Sequence, residues 1–347
     1  MKVALIGLGM VAQTHVRAIA ATERQLQLKG VLSRDVERSR VFAKSVAPIL
    51  GAVPQAYADV QEIAADPEIG FVIVCTPPNA RADIVSVLTA AGKPILMEKP
   101  IERTFASAES IVTQCEAENI PLGIVFQHRM RESAKLLAKT IQSGSLGKMS
   151  VVEIAVPWWR TQSYYDEPGR GTYARDGGGV LISQAIHTLD LTLSLTGPVS
   201  EVQAMSSTSS LHQMESEDFV TAGLRFANGA VGSMVASTAS FPGSAESIVL
   251  HCENGSAILK SGKLELAWHN GETETFGEDA ATGGGADPMG FTHAWHQSII
   301  EDFAEAVKVG RSPACSGREA LLVHQLIDAL TKSSSTKSAV TIPALEY

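Results

Sequence analysis

Val3-Ala4-Leu5-Ile6-Gly7-Leu8-Gly9-Met10-Val11-Ala12 opens the chain as a short apolar run broken by glycines in the spacing G-x-G-x-x-A. In this pattern a buried parallel strand turns sharply into a helix whose N-terminus can take the pyrophosphate of a dinucleotide. Gly7 suits the tight turn, and Gly9 lets the backbone, with Met10 and Val11 behind it, approach the phosphates. Ala12 is small enough for close strand–helix packing. A secretory signal also begins with a basic residue and an apolar segment. Here Gly7 and Gly9 interrupt the run, and Gln13, Thr14, His15 and Arg17 follow at once, so it reads as the first strand of a fold.

Outward from this motif, strand-like and helix-like segments alternate. Residues 3–6, 28–32, 71–75, 94–97 and 121–126 read as strands; 11–21, 37–45, 80–91 and 105–118 read as helices. Strands that are apolar throughout and separated by helices imply a parallel sheet covered on both faces. After about residue 150 the texture changes. Residues 153–159, 199–206, 219–226, 230–237, 247–252, 256–260 and 263–268 are strand-like, with Asn228-Gly229 and Asn254-Gly255 as hairpin turns. Residues 181–195 and 293–309 read as helices, and Gly283-Gly284-Gly285-Ala286-Asp287 as a mobile loop. The expectation is a doubly wound parallel α/β domain over 1–124, then an α+β domain over 125–347 built on an open, mainly antiparallel sheet.

Bulk properties narrow the function. The 347 residues are 45% hydrophobic and 19% charged, as in a globular enzyme. A formal net charge of −9, with no basic block, argues against general nucleic-acid binding. No stretch approaches the roughly 18 apolar residues of a membrane span, so a cytoplasmic protein is expected. Cys75, Cys115, Cys252 and Cys315 are far apart with no C-x-x-C, which reads as reduced, buried thiols. His293 and His296 lack a third donor at recognisable spacing, so no metal is expected.

Cofactor choice turns on the end of the second strand, where a carboxylate would hold the ribose hydroxyls of NAD. Ser33-Arg34 stands there, and a hydroxyl beside a guanidinium suits a ribose 2′-phosphate. This favours NADP over NAD; the alternative is that Arg34 is solvated and Asp35 contacts the ribose. Cys75-Thr76-Pro77-Pro78-Asn79 and Glu98-Lys99-Pro100 both follow apolar strands at the carboxyl edge, where open α/β sheets bind ligands.

The glycine motif, Thr76-Pro77-Pro78 and Glu98-Lys99-Pro100, in this order, resemble the Gfo/Idh/MocA family of NAD(P)-dependent sugar and polyol oxidoreductases. The resemblance continues through Gly177-Gly178-Gly179-Val180-Leu181 to His187-Thr188-Leu189-Asp190, and into Ile300-Glu301-Asp302-Phe303 with Val309-Gly310-Arg311-Ser312-Pro313. It implies a Rossmann domain followed by a substrate-binding and oligomerisation domain. It further implies that Lys99 and His187 are the catalytic pair at the nicotinamide, that Thr76, Pro77, Asn79 and Glu98 line the cofactor, and that the protein assembles as a homodimer or homotetramer.

A direct reading of residues 181–195 supports His187. Gly197-Pro198 closes the helix, and Ser183, His187, Asp190 and Ser194 fall on one polar stripe beside Ile182, Ile186, Leu189 and Leu193. The bland alternative is a solvent-facing stripe. Many relatives carry an aspartate where this chain has Ser183, so activation of His187 is expected from elsewhere: Asp190, Asp176 or Lys99. Where a histidine often follows the Thr-Pro segment this chain has Arg81, which is left outside the site. Arg129 (with His128), Trp158, Asp176 and Ser183 are candidate substrate contacts; Trp159-Arg160, Tyr164-Tyr165, Arg170, Tyr173 and Arg175 are weaker ones. The expected reaction is hydride transfer between a sugar, polyol or aldose hydroxyl and the nicotinamide. The alternatives are an imine- or biliverdin-type reductase and a non-catalytic dinucleotide sensor.

Overall fold

The computed structural model describes residues 1–22, 25–279 and 292–345. The glycine stretch at 283–287 lies outside the described residues. The chain forms two compact units. The first comprises Met1–Glu102, Ala106–Gln127 and His293–Ala320; the second comprises Arg103–Phe105, His128–Thr292 and Leu321–Tyr347.

The first unit alternates β1 (Lys2–Ile6), α1 (Ala12–Ala20), β2 (Gln27–Leu32), α2 (Val36–Leu50), β3 (Gln55–Ala56), α3 (Val60–Ala65), β4 (Ile69–Val74), α4 (Ala82–Ala90), β5 (Ile95–Met97), α5 (Phe105–Ala117) and β6 (Leu122–Ile124). The strands form one six-stranded sheet in the order β3-β2-β1-β4-β5-β6, and every neighbouring pair is parallel. The order reverses between β1 and β4, the switch point at which a doubly wound sheet opens a crevice at its carboxyl edge. Val3 to Leu5, Phe71 to Val74 and Ile95 to Met97 are wholly buried, which is why these strands read as unbroken apolar runs.

The second unit continues with α6 (Glu132–Gln142), β7 (Met149–Pro157), α7 (Gln162–Tyr165), α8 (Ile186–Thr196), β8 (Val199–Ser207), β9 (Phe219–Phe226), β10 (Val231–Ser237), β11 (Ser247–Cys252), β12 (Gly255–Lys260), β13 (Lys263–Trp268) and β14 (Thr273–Phe276). After α9 (Ala294–Val309) and α10 (Gly317–Thr336) it ends in β15 (Val340–Thr341). Its nine strands run β14-β13-β12-β11-β7-β10-β9-β8-β15. All pairs are antiparallel except β7 with β10. Strict alternation of burial along β9 and β11 marks a sheet with one packed face and one open face. Val151, Val231, Val235 and Met205 stand exposed on these strands.

Three features depart from the sequence expectation. The segment that carries α9 groups with the first unit rather than with the residues around it. Its buried face, His296, Ile299, Ile300, Phe303 and Ala306, needs an apolar partner, and Phe303 meets the ring of Phe71 on β4 at 5.3 Å. Helices α6 and α10 were not anticipated. The buried face of α6 is Ser133, Ala134 and Leu137, with only one large apolar residue. Helix α10 starts at a glycine and runs through Ser333-Ser334-Ser335. Those serines serve as docking groups: the Ala204 and Ser206 N–H groups of β8 donate to the Ser333 and Ser334 hydroxyls at 2.9 and 2.8 Å.

The third concerns the helix of His187. Leu181–Ala185 is a π-helical turn, and regular α-helix begins only at Ile186. The wider turn breaks the 3.6-residue period, so Ser183 does not share one straight stripe with His187 and Asp190. Helix α8 is also buried almost all round, His187, Thr188, Asp190 and Thr192 included. His187 and Asp190 of the polar stripe are buried, while Ser194 at its end is exposed. The turn before it is fixed by close backbone approach: a Cβ on Gly179 would lie 1.8 Å from the Glu217 carbonyl oxygen. Gly179→Ala is expected to destabilise the second unit by about 3 kcal/mol, the upper part of the overpacking range, read as a lowered urea midpoint; an unchanged midpoint would show that the turn tolerates a side chain.

Candidate functional site

The first unit builds a dinucleotide cradle from β1 and α1. Gly7 has φ +95°, and a Cβ there would stand 2.6 Å from the Cys75 carbonyl carbon, so the turn demands glycine. A Cβ on Gly9 would meet nothing within 4 Å, which leaves open space above the loop. Helix α1 begins at Val11 with no side chain capping its N-terminus. Open space before an uncapped helix N-terminus is the environment a pyrophosphate requires. Met10 is exposed beside it. Thr76, at the neighbouring strand end, has a buried hydroxyl that takes no partner among the described residues. The groups present thus fit a dinucleotide.

At the end of β2, Ser33 donates its hydroxyl to the Asp35 carbonyl at 2.6 Å, and Ser39 receives the Ser33 N–H at 2.8 Å. Arg34 is exposed. The Asp35 carboxylate accepts from the Glu37 N–H at 2.9 Å as the N-cap of α2, an occupation the sequence reading did not foresee. Arg38, also unforeseen, donates to the Leu8 carbonyl at 2.9 Å and so lies against the glycine loop. Asn79 is exposed on the 3-10 turn that Pro78 starts, with Pro77 before it.

The loops after β4 and β5 meet on one side chain. Arg81, buried to 2% exposure, donates from Nε and Nη2 to the Thr76 carbonyl at 3.0 and 2.7 Å. Its Nη1 donates to the carbonyls of Glu98 and Pro100, and reaches that of Ile101 at 3.4 Å. Burial lowers its pKa to about 10, against the pull of Glu98, so it stays a cation at neutral pH. Lys99, between two of these carbonyls, is half-buried. Sequence reading left Arg81 outside the site; the signal lay in its position, since a long donor after a strand end can turn back under the loop.

Glu98 does not line a cofactor surface as expected. Its carboxylate turns inward, where Oε1 meets His15 Nε2 at 2.7 Å and His296 Nε2 at 3.8 Å. The two imidazoles stand edge to face at 5.2 Å. These three donors lie within 4.8 Å of one another. Ligands sharing one ion at bonds of about 2.1 Å stand about 3.4 Å apart in a tetrahedral site; the 2.7 Å contact is a hydrogen bond, and the group is an ion pair. Burial alone disfavours the His15 cation, but the Cys75 sulfur and then the Glu98 carboxylate outweigh it, so His15 titrates above its ordinary range. Burial also opposes the Glu98 anion, yet the His15 hydrogen bond and charge hold its pKa below the usual carboxylate range. His296, pushed down to about 3 by burial and by the His15 charge, remains neutral. Both histidines were missed as site residues. Each is a polar residue inside a buried apolar helix face, and such a residue must have a partner.

The second unit carries the other half of the expected machinery. The N–H groups of Gly179 and Leu181 donate to the Glu217 carboxylate, each at 3.1 Å. Burial raises the pKa of Glu217. This clamp leads into the π turn, where Ser183 is half-buried, and then to His187, which is buried. The ring of His128 stacks on that of His187, centroids 4.9 Å apart. Arg129 and Asp190 form a two-pronged pair at 2.8 and 2.7 Å. Both oxygens of Asp190 thus accept from one guanidinium. Asp176 likewise braces its own loop, accepting from the Gly171 N–H at 2.9 Å and lying 3.7 Å from Arg175. Trp158 was expected to present its ring to a sugar. It is buried, donates its indole N–H to Glu246 at 3.3 Å and lies under the Arg160 guanidinium, so it is a packing residue.

Two family profiles match the chain: the NAD-binding Rossmann fold of the Gfo/Idh/MocA oxidoreductase family over residues 1–126, and the Gfo/Idh/MocA C-terminal domain over residues 135–258. Myo-inositol 2-dehydrogenase of Thermotoga maritima is 25% identical over 349 residues, covering 99% of this chain and 98% of its own. Levoglucosan dehydrogenase of Pseudarthrobacter phenanthrenivorans is 26% identical over 391 residues, covering 99% of both. A levoglucosan dehydrogenase solved with NADH and levoglucosan superposes with a TM-score of 0.84 at 25% identity, covering 99% of this chain and 100% of that one. For the fold alone, the WlbA dehydrogenase of Bordetella pertussis with NADH and UDP-GlcNAcA gives a TM-score of 0.81 at 24% identity, covering 99% of each chain. No helix among the described residues is long and apolar enough to cross a membrane.

The buried pair yields a pH signature. His15 titrates higher folded than unfolded, so its contribution to stability is complete below its ordinary value of 6.5 and fades as pH rises through the elevated one. Glu98 titrates lower folded, so its contribution is complete above 4.5 and fades on acidification. His15→Gln is expected to cost about 3–5 kcal/mol, the scale for breaking a buried ion pair. The difference in thermal midpoint between wild type and variant should be greatest between those two values and narrow as pH rises. A gap that widens on alkalinisation would show that His15 is neutral in the fold.

Proposed function

From the premise that this chain belongs to the Gfo/Idh/MocA family of NAD(P)-dependent oxidoreductases, we propose that it oxidises a secondary or anomeric hydroxyl of a sugar or polyol, with NADP⁺ preferred to NAD⁺. The observation that carries this reading is the pairing of the glycine cradle, open above Gly9, with Lys99 anchored at the carboxyl edge of the same sheet. The names of the relatives, which act on myo-inositol and levoglucosan, set the substrate class.

When bound, the dinucleotide supplies the hydride acceptor, and the protein supplies position and field. His187 takes the hydroxyl proton as the carbon gives up its hydride. Imidazole is suited to this because its ordinary pKa lies near working pH. The Lys99 ammonium donates a hydrogen bond to the same oxygen and stabilises its developing alkoxide charge. Ser183 stands where relatives commonly carry an aspartate, and Asp190, one turn beyond His187, is held by Arg129. Arg34 and Arg38 are the cations for a ribose 2′-phosphate, and the capping role of Asp35 supports this over a ribose contact by its carboxylate. The solved relatives hold NADH, so NAD⁺ is the comparison cofactor.

A panel of aldoses, polyols and anhydrosugars, myo-inositol and levoglucosan included, assayed with NADP⁺ and NAD⁺ is expected to give reduced cofactor with at least one of them. Turnover only on cyclic imines would make the protein an imine reductase, and dinucleotide binding with no turnover would make it a sensor. On the best substrate, Lys99→Ala and His187→Ala should each lower kcat by roughly 10²–10⁴ with cofactor affinity nearly unchanged. Full activity in either variant removes that residue from the chemistry. Arg34→Ala should weaken NADPH binding by about tenfold to a hundredfold, the equivalent of one charged hydrogen bond, and NADH binding little. Equal losses for both would overturn the cofactor preference.

A further inference from the structure

We propose that Arg81 is the positioning residue of this site, a buried guanidinium strut that holds Lys99 in place and couples it to the cofactor loop. The inference rests on the reading of Lys99 given above. Lys99 follows β5 directly, and its neighbours Glu98 and Pro100 point their carbonyls inward to Nη1 of Arg81. The opposite side of the same guanidinium takes the Thr76 carbonyl through two nitrogens. One rigid, planar group therefore spans the strand ends of β4 and β5. Rotation of the Lys99 backbone would have to pull a carbonyl off a buried cation and leave a buried acceptor without its donor.

The position of Arg81 permits this role. It precedes the first residue of α4 and is the largest fully buried side chain of the chain's described residues. No carboxylate oxygen is among its hydrogen-bond acceptors; all are backbone carbonyls. A cation aimed only at carbonyls organises backbone, because a carboxylate partner would otherwise neutralise it. Lysine is no substitute: a single ammonium is a point donor and cannot face Thr76 on one edge and the Glu98–Pro100 segment on the other. Glu98 uses its side chain on His15 and its carbonyl on Arg81, so the residue before Lys99 is pinned from both sides.

The test combines Arg81→Lys and Arg81→Met with Lys99→Met in a double-mutant cycle, using the best substrate of the panel, and with hydrogen exchange, which needs no substrate. In the Lys99 background, Arg81→Lys should lower kcat about 10²-fold, the cost of roughly 1 Å of misplacement, while KM for the dinucleotide changes far less. In the Lys99→Met background the same change should have almost no further effect, because its action passes through Lys99. Amide exchange in peptides covering 76–81 and 98–102 should quicken about tenfold as local opening becomes easier, with the rest of the first unit unaltered. Equal losses of kcat in both backgrounds would make Arg81 a general scaffold residue and overturn the proposal. So would unchanged exchange in Arg81→Met, which also decides the matter should Arg81→Lys fold poorly. Lys99→Met inactive with Arg81→Lys fully active overturns this proposal alone; Lys99→Met fully active overturns the reading of Lys99 and this proposal with it.

Discussion

Two cations buried beneath the carboxyl edge of the parallel sheet, Arg81 and His15, are the constraint on which the first unit's site depends. A parallel sheet ends in carbonyls that its own strands do not satisfy, and here the loop after β5 stays buried at Glu98, Ile101 and Glu102. Arg81 answers the carbonyls. His15 answers the Glu98 carboxylate that the second loop brings inside. Removing either donor would leave an acceptor or an anion in a medium that cannot solvate it, which costs more than the contact itself gains. The backbone on either side of Lys99 is thus held from beneath by buried donors.

In the second unit the same logic works with the signs reversed. The amides of Gly179 and Leu181 at the head of the π turn need an acceptor, and Glu217 supplies a carboxylate from the strand region opposite. Gly179 must be glycine for the backbones to come that close. The clamp sets the start of α8, and with it the height of His187 in a helix that is buried almost all round. An imidazole so enclosed, stacked on His128, has few neighbours free to move. That suits a proton acceptor whose geometry must not drift.

Charges within each unit are arranged as neutral pairs. Arg129 is matched by Asp190, Arg131 by Glu246, and His15 by Glu98. His212 likewise stands against Asp218 at 2.8 Å. Each of these pairs is an organising contact more than a source of net stability. The pairing also explains why three sequence expectations changed role. Glu98, Asp190 and Asp176 are acidic residues near the motifs, and each is committed to a local cation or amide.

The sequence by itself determined the two-part architecture, a parallel α/β sheet followed by a mainly antiparallel one, with Lys99 after a strand and His187 in a helix. Those properties are local: an apolar run, a glycine spacing and a hairpin Asn-Gly act within a few residues. It did not reveal β3, which is two residues long, α6, whose buried face has one large apolar residue, or α10, whose apolar stripe of Leu321, Leu326, Ile327 and Leu330 was passed over. Only the tertiary structure decided which polar residues serve as supports. His15 lies 83 positions from Glu98, Arg131 lies 115 from Glu246, and Glu217 lies 38 from Gly179. No periodicity links such positions. A buried charge selects its partner from whatever the fold brings near, because burial without a partner is too costly, and that choice is made in space and not along the chain.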